Sequence, residues 1–325
     1  MIRSRFIRCA LAAAWLAASA AAGMAMAQGQ DYPNRKVTVY VPFGPGGSGD
    51  VLLRTITDRL ADKWKQPVVI DYKPGAGGLL AHEFVAKAPA DGYTLLQGAA
   101  SFTLYNLLNK DMRFDPLKDL TIAAMTGQTA ISFVTSNEAP VKTMQEWIVW
   151  AKANPGKLNY ASLGRSVVMM SMELLASQAG VKLQEVPFKA QQDQLQAVMR
   201  NDVQLALLPV AQSKQFADRL KPLFVVGPTR FADLPNVPTN AEAGLPNFRP
   251  IIWQSIMAPS GTPRAALQRI NADVSAIVAQ ADYPGMAEKA GMRPFSANLD
   301  EIKKLTEEQV NNWTAVARAL NIQPE

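Results

Sequence analysis

Residues 37–41 read VTVYV, an alternating strand pattern, and residues 51–56 read VLLRTI, the start of a helical one. Between them Gly44, Gly46, Gly47 and Gly49 fall within six residues. A strand that passes through glycines directly into a helix builds a βα unit, the element of open α/β sheets. The junction also has a chemistry. The first N–H groups of a helix lack intrahelical partners and carry a partial positive charge, and glycine lets the backbone come close to an anion. The competing reading is a tight turn that binds nothing.

The alternation continues along the chain. Apolar residues at Val51, Leu52, Ile56, Leu60, Ala61 and Trp64 keep helical spacing, residues 67–72 read as a strand, and 74–78 (PGAGG) form a second glycine loop. A helix is expected over 79–88, a strand over 93–98 and a helical stretch over 104–109. The apolar stretch 120–136 holds one or two strands and leads into a second unit with the same order: strand 158–162, a loop with Gly164, helix 167–178, strand 183–188. After a Pro-rich passage over 234–246 come a strand near 251–258 and a helix to about 280. Thr262 is its expected N-cap, with Pro263 at the first helical position. A last amphipathic helix covers 299–320. The pattern predicts an α/β chain with two lobes, each a mostly parallel sheet flanked by helices. The expected boundaries are 28–128 with 253–325 for lobe 1 and 129–252 for lobe 2.

Residues 1–27 carry Arg3, Arg5 and Arg8, then an apolar run over 9–22, then Ala25-Met-Ala27. That is the layout of a secretory signal peptide cleaved after Ala27, which predicts a periplasmic protein. Removing it takes away three Arg and no acid, so 33 basic residues against 27 acidic become 30 against 27, a net charge of +3. Basicity so reduced, with only 18% charged residues, gives no reason to expect a nucleic-acid partner. The single Cys, Cys9, leaves with the leader, and His82 is the single His. Disulfides, thiol chemistry and a His/Cys metal site are therefore not expected, nor is any cofactor. His82 reads as a polar residue on the second helix.

Gly44, Gly46 and Gly49 also fit G-x-G-x-x-G, and Asp71 ends the next strand, so a dinucleotide fold has to be weighed. Pro45 is unusual inside that turn, and Gly49-Asp50 stands where a P-loop needs Gly-Lys-Ser/Thr. Export removes the chain from cytoplasmic NAD and ATP. A small carboxylate is the anion that remains. Two βα units facing each other would hold it between two helix N-termini, as in hinge-closing binding proteins.

Six segments taken in order resemble the Bug-type substrate-binding proteins of tripartite tricarboxylate transporters: YPNRKVTVYVPFGPGGSGDVLLRTITDRL, QPVVIDYKPGAGG, APADGYTLL, AKANPGKLNYAS, EVPFKA and LPNVPTNAEAGLP. The resemblance implies a two-lobe periplasmic binding protein fold of the Venus-flytrap type. It also implies capture of a small carboxylate, often through bridging waters, and delivery to membrane transporter subunits or a sensor receptor. It places the first ligand loop over Phe43, Gly46, Gly47, Ser48, Gly49 and Asp50. Ser101 and Asn106 match the third loop, where Phe102 and Thr103 replace a usual Thr-His pair.

The second lobe departs more from the family. Its loop is commonly Ser-x-Gly-x-Gly-Ser/Thr-x-x-His. Here Ser162, Gly164, Arg165 and Ser166 make a loop one residue shorter, Arg165 takes a glycine position and Met169 stands at the His. Glu185 replaces a His, Ala190 a glycine, and Leu208 with Pro209 occupy a place often held by Asp or Asn. Met169, Leu208, Phe43 and Phe102 would suit a carboxylate with an apolar or aromatic body, whereas Met169 and Met170 also read as helix core. Arg165 reads either as a bidentate carboxylate fork or as a solvated loop residue. The expectation is a monomeric exported binding protein without catalysis, taking a dicarboxylate, tricarboxylate or aromatic acid. The alternatives are an orphan sensing subunit and a periplasmic enzyme. For the enzyme, Ser48 or Ser166 would be the nucleophile, yet neither lies in a nucleophile elbow.

Overall fold

The computed structural model describes residues 32–45, 48–75, 78–162, 166–188, 191–248, 250, 252–319 and 321–324. The expected leader therefore lies outside the described residues, as do Gly46, Gly47, Gly164, Arg165 and Ala190 of the expected loops. The chain begins β1 (Val37–Val41), α1 (Ser48–Trp64), β2 (Val68–Tyr72), α2 (Leu79–Ala86), β3 (Thr94–Ala99), a 3-10 turn (Ala100–Leu104), α3 (Tyr105–Leu108), α4 (Pro116–Asp119) and β4 (Leu120–Thr129). It continues β5 (Ile131–Ser136), α5 (Met144–Ala153), β6 (Asn159–Ser162), α6 (Val167–Ala179), β7 (Gln184–Pro187), α7 (Gln191–Met199), β8 (Ala206–Pro209), α8 (Val210–Gln215) and β9 (Leu220–Val225). It closes with β10 (Trp253–Pro259), α9 (Arg264–Val278), α10 (Tyr283–Lys289), β11 (Met292–Arg293) and α11 (Leu299–Ala319).

A six-stranded sheet has the order β11-β4-β10-β3-β1-β2. β1 pairs parallel with β2 and β3, while β10 enters antiparallel between β3 and β4. The strands between residues 131 and 225 form a three-stranded sheet, β8-β5-β9, and a parallel pair, β6-β7. A parallel bridge at Tyr160–Leu205 links the two. β5 runs antiparallel to both its neighbours. The antiparallel strands β5 and β10 therefore follow the two places where the chain passes from one sheet system to the other. Both systems contain the same parallel β-loop-α-β unit, β1-α1-β2 and β6-α6-β7.

Helix α1 lies on one face of the large sheet because its apolar stripe matches that face. Leu52, Leu53, Ile56 and Leu60 are buried against Val37, Val39 and Val41 of β1, with Ile270 and Val274 of α9 completing the cluster. Its far end is pinned by polar contacts. The Trp64 indole donates to Asp273 at 2.6 Å, and Lys63 and Arg269 reach the same carboxylate at 2.7 and 2.6 Å. Burial pushes the Asp273 carboxyl upward, but the hydrogen bonds from Lys63 and Trp64 and the Arg269 charge bring it below its ordinary value. The other face of the sheet carries Leu96, Phe102, Trp253 and Met257. The smaller sheet packs Phe133 flat on Phe224 at 4.6 Å, with Phe248 edge-on to both rings.

The two sheet systems touch through two clasps. Trp313, Val316 and Ala317 of α11 join Leu104 and Leu108 to Val167, Met169 and Met170 at the start of α6. Elsewhere the Arg293 guanidinium sits 3.2 Å from the centre of the Phe231 ring and donates to the carbonyls of Thr229 and Arg230.

The expectation of mostly parallel sheets is corrected: among the described strands three pairings are parallel and five antiparallel, so the sheets are mixed. One local expectation is corrected as well. Thr262 does not cap α9: Pro263 is the N-cap with ψ 134, outside the helical range, and the Thr262 hydroxyl donates instead to the Pro259 carbonyl at 2.7 Å. The helical stretch expected over 104–109 is observed as α3, preceded by the 3-10 turn over Ala100–Leu104. His82 is buried on α2. Its Nδ1 donates to the Gly78 carbonyl at 2.9 Å, and its ring meets Tyr105 edge-on at 5.0 Å. Gly78, the N-cap of α2, sits at φ 98, which disfavours a side chain there. Burial lowers the His82 pKa to about 4, so the folded protein holds it neutral.

Two outcomes follow from these contacts. Replacing Asp273→Ala leaves the Trp64 N–H and two cations without their acceptor and should cost about 2–4 kcal/mol, read from the urea midpoint. For His82, the unfolded chain takes up a proton near pH 6.5 and the folded chain only near 4. Stability should therefore fall as pH drops through that window, by up to about 3 kcal/mol. Urea unfolding at several pH values should show that slope in the wild type relative to His82→Gln; identical slopes would refute the assignment.

Candidate functional site

The carboxyl end of β1 and the start of α1 frame a small hollow of about 90 Å³. Val41, Pro42, Phe43 and Gly44 form one wall, Gly49 and Asp50 another, and Gln97, Ala99 and Gln254 the floor. The floor follows from the register. Gln254 of β10 lies opposite Ala99 of β3, so Gln254 and Gln97 are diagonal neighbours on the face that also carries Leu95 and Ile256. That face is apolar under α1 and becomes polar where α1 begins.

The missing side chain at Gly49 leaves the room that the ends of the two glutamines occupy. A Cβ there would lie 2.5 Å from Gln97 Nε2 and 3.2 Å from Gln254 Oε1. Asp50 is buried, and its carboxylate accepts from the Tyr72 hydroxyl at 2.5 Å and from Arg54 Nε at 3.2 Å. Arg54 also donates to the Tyr72 hydroxyl. Burial and the Asp50 hydrogen bond raise the Tyr72 pKa, so the phenol keeps its proton and stays a donor. The carboxylate suits the first turn of α1 by charge, and its partners tie that turn to the end of β2. Phe43 is 52% exposed, and its ring lies over Gly78, where an added Cβ would come within 3.4 Å of it.

The other expected residues fall in several places. Ser48 opens α1. Ser101 lies in the 3-10 turn and hydrogen-bonds Tyr105, and Asn106 donates to Asp115 at 2.8 Å. Ser162 ends β6, buried, with its hydroxyl bonded to Glu185. Ser166 caps α6, accepting from the Met169 N–H at 3.5 Å. The apolar clasp brings the 101–106 stretch to the first turn of α6, since Leu104 and Leu108 pack with Val167 and Met169.

Three expected contacts are placed in the core instead. The Phe102 ring is 2% exposed and meets Trp253 at 6.4 Å, Met169 is 5% exposed inside the clasp, and Leu208 is fully buried with Val134, Ala161 and Leu195. Each is apolar and has an apolar surface to fill, which is the stronger pull on such a side chain. Gln97 and Gln254 are the site residues the sequence reading missed. The available signal was Gln97 inside the otherwise apolar strand TLLQGA.

Larger hollows exist, one of about 660 Å³ between β4, α9 and α11 and one of about 440 Å³ between α6 and α11. The first is rimmed by charges of both signs, Arg264, Asp300, Lys303 and Glu307, and takes in the first turns of α9 and α11, where Asp300 already occupies the positive end of α11. Among the described residues no group of three or more His, Cys, Asp or Glu side chains could hold a metal ion, and no helix is long and apolar enough to cross a membrane.

The family model described as tripartite tricarboxylate transporter family receptor matches residues 52–322. Protein BugT of Bordetella pertussis is 31% identical over 309 residues, covering 92% of this chain and 94% of its own. A solved R. palustris protein with adipate is 30% identical, with a TM-score of 0.75 over 90% of this chain and 100% of its own. MatC from Rhodopseudomonas palustris with bound malate is also 30% identical, with a TM-score of 0.68 over 88% of this chain and 99% of its own. The two-lobe α/β architecture is thus that of solved periplasmic binding proteins, and the chain belongs to the Bug-type receptors of the tripartite tricarboxylate transporter family.

Proposed function

We propose that this receptor is an exported, monomeric solute-binding protein that captures a small carboxylate between its lobes and delivers it to membrane transporter subunits. Its signal peptide is removed after Ala27, and it works in the periplasm without catalysis. The ligand is a dicarboxylate, a tricarboxylate or an aromatic acid. The observation that carries this reading is the hollow at the start of α1, where a glycine-opened helix N-terminus meets two amide side chains. Helix N–H groups and neutral donors hold a carboxylate without needing a countercharge. Adipate and malate in two solved relatives support the same chemistry.

A hollow of about 90 Å³ is too small for a whole ligand, since pockets for small molecules run to roughly 300–1,000 Å³. It takes one end of the molecule. The rest is enclosed when lobe 2, residues 129–252, closes on lobe 1, residues 28–128 and 253–325. Ser48, Gly49 and Asp50 hold the first end, Phe43 covers the body, and Ser162 and Ser166 approach from lobe 2 with Ser101 and Asn106 at the junction. Gly46, Gly47, Gly164 and Arg165, outside the described residues, complete the two loops.

Thermal unfolding with a panel of dicarboxylates, tricarboxylates, aromatic acids and amino acids tests this directly. A bound acid at 100 times its Kd should add about 2.7 kcal/mol of stability. A panel in which no carboxylate shifts the transition, while a neutral or cationic solute does, contradicts the reading.

A further inference from the structure

The hollow at α1 offers more than donors. Gln97 is 8% exposed and Gln254 is partly buried, and both line the hollow. Neither side-chain amide has a hydrogen-bond partner among the described residues, and both are reached from the hollow. They do not bond to each other, yet Gln97 Nε2 and Gln254 Oε1 flank the same point beside Gly49. Whichever way each amide is turned, a pair of glutamines presents N–H donors and C=O acceptors together.

A bare carboxylate uses only the donors. It would leave amide oxygens facing its own negative charge. The hollow also contains Asp50, whose two oxygens already accept from Tyr72 and Arg54. The group that satisfies both kinds of partner carries a donor next to its carboxylate. An ammonium brings three N–H groups, and Arg54 already compensates the Asp50 charge. A hydroxyl brings one O–H, which matches one amide oxygen.

We propose that Gln97 and Gln254 are the specificity-determining residues of this receptor and select a 2-hydroxycarboxylate over its deoxy counterpart. The carboxylate lies against the start of α1 and one amide N–H, and the 2-hydroxyl donates to the amide oxygen beside it. The proposal rests on the carboxylate reading above and narrows it to one class of acid. Phe43, exposed at the mouth over Gly78, leaves room for an apolar body beyond the hydroxyl-bearing carbon.

Isothermal titration of the purified protein with matched pairs tests it: malate against succinate, 3-phenyllactate against 3-phenylpropionate, and phenylalanine as the amino counterpart. The wild type should bind the hydroxy member of at least one pair tenfold or more tighter than the deoxy member, because a site built around a hydroxyl rejects the analogue lacking it. Gln97→Leu and Gln254→Leu should bring that ratio to within about threefold of unity, the hydroxy acid losing more affinity than the deoxy acid. Far-UV circular dichroism checks that both variants fold, and the wild-type ratio stands without them. Equal binding of hydroxy and deoxy acids by the wild type overturns the proposal and leaves carboxylate capture intact, as does a ratio that survives in both variants. Tightest binding of the amino acid also overturns it. Binding of no acid in either series removes the carboxylate reading and this inference with it.

Discussion

The seating of helix α1 is the constraint on which the site depends. The helix is held at its far end by the indole and cation contacts to Asp273, along its length by Leu52, Leu53, Ile56 and Leu60, and at its start by the Asp50–Tyr72–Arg54 cluster. A helix held at both ends cannot slide, so its first N–H groups keep a fixed position above Gln97 and Gln254. The absent side chain at Gly49 lets it come that close. Preorganisation of this kind spares a binding site the ordering that would otherwise weaken capture.

The link between lobes is of a different kind. α11 belongs in sequence to the end of the chain, yet Trp313 and Val316 pack against both Leu104 and Met170. The start of α6, the lobe 2 counterpart of the α1 terminus, is thereby tied by apolar contacts to the stretch that holds Ser101 and Asn106. Arg293 adds a second tie through Phe231 and two carbonyls, and burial lowers the pKa of its guanidinium.

Much of this was legible in the sequence because it is local. The strand, glycines and helix over 37–64 are written in periodicity, and the final helix declares itself through its apolar stripe, observed as Leu299–Ala319. What could not be read depends on partners distant in sequence. Gln97 and Gln254 meet only because β10 inserts antiparallel beside β3, which no spacing rule indicates. Phe102 is apolar whether it faces a cleft or Trp253, and only the fold decides between them. Thr262 has the composition of a cap, but the backbone at Pro263 stays extended, so its hydroxyl turns back to Pro259. The family likeness carried the architecture correctly, whereas the apolar replacements at Met169 and Leu208 prove to be core positions here.

The most direct test of the central claim is a crystal structure of the protein with a bound carboxylate. The account predicts one carboxylate group at the start of α1, with an oxygen about 3 Å from the Gly49 N–H or the Gln97 amide. A carboxylate seated instead in the hollow between β4, α9 and α11, with the start of α1 left unengaged, would contradict it.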